Sequence, residues 1–261
     1  MSSPSSYDLS TVRSSLPILE EVTYLNTGTV GIMAEPVLAA HVAAVTQYER
    51  GGHAAEGAAR EGYERARATV ACLIGAQPDE IALTRNATDG VALIAASLPL
   101  GPDDLVLTTD QEHPAVLLPW ALAQRRGRGR LSLFAVSLDP EETFNRFAQA
   151  VRPATRLVVV THASNVTGTL LPVDRITQLA HKAGALVLVD AAQTAGAIPI
   201  DVEADAIDLV AFTGHKALLG PQGTGGLYIG PRVALDELPP LLRGGTGSRS
   251  ESEEQPEFLP D

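Results

Sequence analysis

The sequence is nearly free of cysteine and of lysine: one thiol, Cys72, and two amines, Lys182 and Lys216, stand among 261 residues that include seventeen arginines. A single cysteine excludes an internal disulfide and fits the reducing cytoplasm. Long apolar runs are also missing. None approaches the ~20 residues that cross a bilayer, so the reading is of a protein with no membrane partner. The opening MSSPSSYDLS has no basic region followed by an apolar core, and so is not a secretory signal. Positive charge is scarce as well. A net charge of −12 and a pI near 4.9 exclude the basic footprint that a nucleic-acid partner requires. What is present, with apolar residues at 45%, is a chain sufficient for one large globular domain.

Scarcity makes the placement of Lys216 informative. The apolar run Leu209 to Phe212 reads as a buried strand that empties into Thr213-Gly214-His215-Lys216 and then a loop with more glycine. One reading is a solvated lysine in a glycine-rich turn. The other is a nucleophilic amine, because a partly desolvated lysine loses proton affinity and can condense with a carbonyl. Lys182, in the helical pattern ITQLAHKAG, is expected to face solvent.

Residues 1 to 16 are Ser-rich and read as loose. The glycine-rich stretch YLNTGTVGIMAEP, residues 24 to 36, reads as a loop feeding a helix from Val37 to Gln47; its glycines would let backbone approach a ligand or simply connect. Residues 53 to 75 have helical spacing, and there Cys72, beside Ala71, Leu73 and Ile74, reads as a small core residue. From residue 81 onward, five short apolar runs each end in a polar cluster: IALT then RNATDG, LVLTT then DQEHP, LVVVT then HASNVTG, ALVLV then DAAQTAG, LVAF then TGHK. Helical stretches intervene at Val91 to Ser97, Ala115 to Gln124 and Asp174 to Ala183. Continuous apolar strands alternating with helices imply an α/β fold, a mostly parallel sheet covered on both faces. In such sheets ligands bind at the carboxyl ends of the strands.

Each cluster admits a structural and a chemical role. Asn86 or Thr88 can cap a helix, or the free amides there, from Ala87 on, can seat a phosphate with the Thr88 hydroxyl. His113 can be structural or can lie against a flat ring. Asp190 ends a buried strand, where an unpaired carboxylate is costly, and no lysine or arginine is near it in sequence. A protonated pyridine nitrogen or a remote arginine would answer it. Gln193 offers an amide three residues on, and Thr213 and His215 flank Lys216 with donors suited to phosphate oxygens.

A phosphate seat, a ring-stacking histidine, a buried carboxylate and an amine together describe a pocket for pyridoxal 5'-phosphate. Asn86-Ala87-Thr88, Glu112-His113-Pro114, Ser164-Asn165-Val166-Thr167-Gly168, Asp190-Ala191-Ala192-Gln193 and Thr213-Gly214-His215-Lys216, in this order, resemble the class V aminotransferase family, within it the cysteine desulfurase and cysteine/cystine C–S lyase branch. The resemblance spans residues 20 to 261. It implies that Lys216 holds the cofactor covalently and later moves protons, Asp190 keeps the ring nitrogen protonated, and His113 stacks on the ring. It further assigns Ala87, Thr88, Thr213 and His215 to the phosphate, and Gln193 and Asn165 to the ring hydroxyl. Gly244-Gly245-Thr246 resembles a segment that reaches the partner's phosphate across a homodimer interface.

The resemblance therefore implies a three-layer sandwich with a mixed sheet of about seven strands. It also divides the chain into an arm, residues 1–20, a cofactor domain, 21–243, and the start of a connection to a smaller C-terminal domain, 244–261. That small domain would hold the substrate-carboxylate arginine and a mobile cysteine, whose place Cys72 does not match. The expected function is pyridoxal-phosphate-dependent C–S bond chemistry on a cysteine-like amino acid. Transamination or epimerisation of another small amino acid, or a non-catalytic cofactor-binding or dimerising remnant, are the alternatives. A dinucleotide-binding protein is disfavoured, because the glycines cluster after Lys216 and not after the first strand.

Overall fold

The computed structural model describes residues 8–239 and 241, together with the two-residue strands at 248–249 and 257–258. The expected Thr246 contact lies outside the described residues. In chain order the elements are α1 (Leu9–Ser14), α2 (Glu35–Gly51), α3 (Glu56–Ile74), β1 (Ile81–Thr84), α4 (Ala87–Ser97), β2 (Leu105–Thr109), α5 (Pro114–Arg125) and β3 (Arg130–Phe134). They continue with α6 (Pro140–Ala150), β4 (Thr155–Thr161), α7 (Val173–Lys182), β5 (Leu186–Asp190), β6 (Leu209–Thr213) and β7 (Gly225–Ile229), and close with β8 (Ser248–Arg249) paired to β9 (Glu257–Phe258).

Seven strands form one sheet in the order β1-β7-β6-β5-β4-β2-β3. Every pairing is parallel except those of β7 with β1 and with β6, so β7 alone runs against the rest. The carboxyl ends of β1, β2, β4, β5 and β6 therefore share one edge, as the five polar clusters required. Side chains alternate along each strand, and each face has its own apolar layer. Leu107, Val158, Val187 and Val210 pack with Ile74 of α3, Phe147 of α6 and Ile176 of α7. Val106, Leu157, Leu188 and Leu209 pack on the other face with Val91 of α4 and Trp120 of α5. This is the three-layer sandwich, and both faces of the central strands are closed to water, which is why β4, β5 and β6 read as unbroken apolar runs.

Three differences from the sequence reading have physical causes. Residues 9–14, read as loose, form α1, which Asp8 caps by accepting from the Ser10 amide, although none of its residues is buried. The glycine-rich loop after Lys216 ends at Thr224; Gly225–Ile229 is a strand, its leading glycines hiding its β character. Cys72 is exposed, not a core residue: α3 turns only Ala71 and Ile74 inward at its end, and Cys72 falls on the other side of the helix. Lys182 is exposed, as expected. Helix α2 buries no residue among the described ones; Leu38, Val42 and Val45, at i, i+4 and i+7, are 39%, 55% and 49% exposed.

The two glycines opening β7 are where the fold meets the site. A Cβ on Gly225 would stand 2.6 Å from both Asn86 Cα and the Phe212 carbonyl oxygen. Only a bare backbone lets β7 lie between the start of α4 and the end of β6. We expect Gly225→Ala to force these elements apart at a cost of ~1–3 kcal/mol, lowering the melting temperature by several degrees in calorimetry.

Candidate active site

The edge where the parallel strands end contains a cleft of about 300 Å3. Its lining includes Ala87, Thr88, His113, Asn165, Asp190, Gln193, Thr213, His215 and Lys216, so every described residue singled out from the sequence converges there. Gly28 and Thr29 also line it, from a loop for which glycine content was the only sequence signal.

On one wall is the start of α4. Asn86 caps it, its side chain accepting from the Asp89 amide at 2.9 Å. The Ala87 amide donates to Thr213 Oγ1 at 3.1 Å, a buried bond between residues 126 positions apart that ties the helix start to the end of β6. Asn86 serves the helix, and its neighbour Thr88 lines the cleft. Nearby, His215 Nδ1 is buried with no hydrogen-bond partner among the described residues. Burial, followed by the charge of Lys216, pushes this imidazole below its usual range and keeps it neutral.

Asp190 and Lys216 form the floor. Asp190 is 6% exposed and accepts from the Ala192 amide at 2.9 Å. Burial pushes its carboxyl up, against that amide and the charges of Lys216 and His113, which pull it down. For Lys216 the balance is reversed in sign: burial pushes the ammonium below the usual lysine range and Asp190 pulls it back up. In each, burial outweighs the mutual attraction. The floor therefore has a carboxylate short of cationic partners and an amine readily deprotonated.

His113 has a structural duty too. Its Nδ1 accepts from the Ala115 amide at 3.1 Å, capping α5 ahead of Pro114. That bond places the ring proton on Nε2 and fixes the plane of an otherwise exposed side chain. Gln193 is also engaged, donating from Nε2 to the Gly28 carbonyl at 3.0 Å and so drawing the residue 26–31 loop over the cleft. The loop is pinned again where Gly31 donates to the His215 carbonyl at 2.6 Å. A Cβ on Gly31 would stand 2.1 Å from the Lys216 carbonyl oxygen, so this glycine serves a close approach to the lysine's own backbone. Asn165 is exposed at the rim. Cys72 does not line the cleft.

This arrangement matches known proteins over nearly the whole chain. The Aminotransferase class-V family covers residues 31–258. The sequence is 37% identical to a probable cysteine desulfurase of Methanothermobacter thermautotrophicus over 240 residues, 90% of this chain and 59% of that protein. It is equally similar, at 37% identity over 91% of this chain and 60% of the relative, to a probable cysteine desulfurase of Aeropyrum pernix. Among solved structures, the apo cysteine desulfurase of Thermococcus onnurineus superposes with a TM-score of 0.84 at 32% identity, over 98% of this chain and 65% of that one. The cystine C–S lyase C-DES, in complex with its product cysteine persulfide, superposes with a TM-score of 0.86 at 31% identity, over 94% and 66%. The chain thus spans about three fifths of the length of these curated relatives. With the family match spanning most of its residues, the chain belongs to the class-V aminotransferase family.

Proposed function

We propose that the cleft holds pyridoxal 5'-phosphate and carries C–S bond chemistry on cysteine or a cysteine-like amino acid. The observation that carries the reading is the pairing of a deprotonatable lysine with a buried carboxylate at the meeting point of five strand ends. Two groups have unmet needs that this cofactor answers. Buried His215 Nδ1 has no partner among the described residues and suits a phosphate oxygen, and Asp190 lacks enough positive charge and suits a protonated ring nitrogen. The cofactor, when bound, supplies an electron sink for the carbanion formed at the substrate Cα.

The chain's own residues do the rest. Lys216 Nζ would hold the cofactor and, as a neutral amine, would take the substrate Cα proton. Asp190 would favour a protonated ring nitrogen, and His113, its plane set by the α5 cap, would face the ring. Ala87, Thr88, Thr213 and His215 would hold the phosphate; the Thr213 hydroxyl, already accepting from Ala87, keeps its proton to donate. Gln193 and Asn165 would serve the ring hydroxyl, Gln193 with the N–H not given to Gly28. Cys72 does not line the described cleft and is given no part in this chemistry. We place the protein in the cytoplasm as a homodimer; the exposed apolar residues Leu38, Val42 and Val45 of α2 support a partner surface.

Lys216 tests the reading directly. The purified protein loaded with pyridoxal phosphate should absorb in the visible, and borohydride should fix the label on Lys216, with none on Lys182, by peptide mass mapping. Because only the neutral amine attacks a carbonyl, capture of the cofactor should speed up as pH rises and reach half its limit below the 10.5 of an ordinary lysine.

Asp190→Asn should fold and load, yet slow substrate Cα proton exchange by about a hundredfold or more, read by loss of deuterium from labelled cysteine. Fed cysteine or cystine, the chain should leave no persulfide on Cys72, and Cys72→Ala should load cofactor as the unaltered protein does.

A further inference from the structure

The acid beside His113 has no role in the chemistry above, yet it is built into the same edge. Glu112 Oε1 accepts from Thr109 Oγ1 at 2.7 Å and from the Thr161 amide at 2.8 Å. Thr109 is the last residue of β2 and Thr161 the last of β4, neighbouring parallel strands. The side chain therefore adds one rung beyond the backbone ladder, standing where the next β2 carbonyl would stand. The next peptide along, at His162, donates to the Asp190 carbonyl at 2.9 Å. Glu112 and Asp190 thus grip the same two-residue corner from opposite sides. The second carboxyl oxygen, Oε2, is buried with no hydrogen-bond partner among the described residues.

An ionised carboxylate with one oxygen bare in the interior is costly. The groups around it make ionisation worse. Asp190 on β5 opposes a second negative charge. His162 is pushed below its usual range by burial and stays neutral, while His113 and Lys216 act on Asp190. We propose that Glu112 is a positioning residue that works as a neutral carboxylic acid: it fixes the corner between β2, β4 and β5 from which His113 and Asp190 project, and adds no second negative charge beside Asp190. Burial first, and Asp190 in addition, push the Glu112 carboxyl up to about 8, although its two donors pull it down. The part concerning His113 and the cofactor rests on the function proposed above; the protonated state does not.

The test separates the two. In cofactor-free protein labelled with 13C at glutamate Cδ, one signal should remain in the protonated position at pH 7 and titrate with a midpoint of about 8. Aspartates carry no label, so Asp190 cannot be mistaken for it. E112Q should remove the signal; T109V, which deletes a donor to the charged form, should raise the midpoint and leave the other glutamates in place. E112Q also has no proton to lose, so its stability should gain on that of the wild type as pH rises from 4.5 through about 8, the range in which the folded wild type binds the extra proton. In loaded protein, E112Q should retain cofactor and its visible spectrum like the wild type, and E112A, losing both rungs, should retain it about tenfold less well. If every glutamate titrates in the ordinary range, Glu112 is an anion and the proposal is wrong. Equal loss of cofactor from E112Q and E112A would overturn it too. A glutamate midpoint of about 8 in a protein that never takes up cofactor would uphold the neutral acid and reject the cofactor site instead.

Discussion

The hydrogen bond from the Ala87 amide to Thr213 Oγ1 joins the two halves of the site. It is buried, and it links the start of α4, following the edge strand β1, to the end of β6, from which Lys216 departs. Only β7 lies between those strands, and it runs the opposite way. Were β7 parallel, its end and crossover would occupy the ground that α4 and the Lys216 loop now share. Running antiparallel, it presents Gly225 there instead, a residue with no side chain to hold them apart. The topology of one strand thus brings the start of α4 and Lys216 to the same cleft.

The electrostatics follow from that closure. Five strand ends at one edge place polar groups where the sandwich has already excluded water, so burial dominates each titratable group on the floor. It drives Asp190 and Lys216 toward neutrality together, though each would prefer the other charged. An isolated site of this kind is poised and not satisfied. His215 Nδ1 and Glu112 Oε2 are further unsatisfied groups near it. Buried polar groups without partners are rare in folded proteins, and these two stand beside residues that line the cleft.

Much of this was legible in the sequence because burial on both faces leaves a plain trace. β4, β5 and β6 read as unbroken apolar runs, and each run stops at a polar cluster. Elements away from that double burial left a weaker trace. β3 is the edge strand at the far side of the sheet from β1, with Arg130 and Leu133 exposed, so its apolar run is broken. α6 buries only Thr143 and Phe147 among eleven residues. β7 begins with two glycines, required by close approach and indistinguishable in sequence from a loop. Cys72 misled for a related reason: its neighbours Ala71 and Ile74 are buried, but a helix turns 100° per residue and adjacency says little about which face is shared. Glu112 stood inside a recognised motif without drawing notice, since nothing local distinguishes a buried acid from a solvated one.

The double duty of several residues explains why both readings of each cluster could hold at once. His113 caps α5 through Nδ1 and still presents its ring to the cleft. Thr213 accepts from Ala87 while its hydroxyl proton stays free, and Gln193 ties down the Gly28 loop with one of two N–H groups. Each uses one valence of a multivalent side chain for the scaffold and reserves the other. A side chain so held has lost its rotamer freedom before any ligand arrives, and the entropic cost of ordering it upon binding is already met in the folded state. Cap and ligand are therefore not competing explanations at this edge: in the function proposed above, the structural bond readies the side chain for the chemical one.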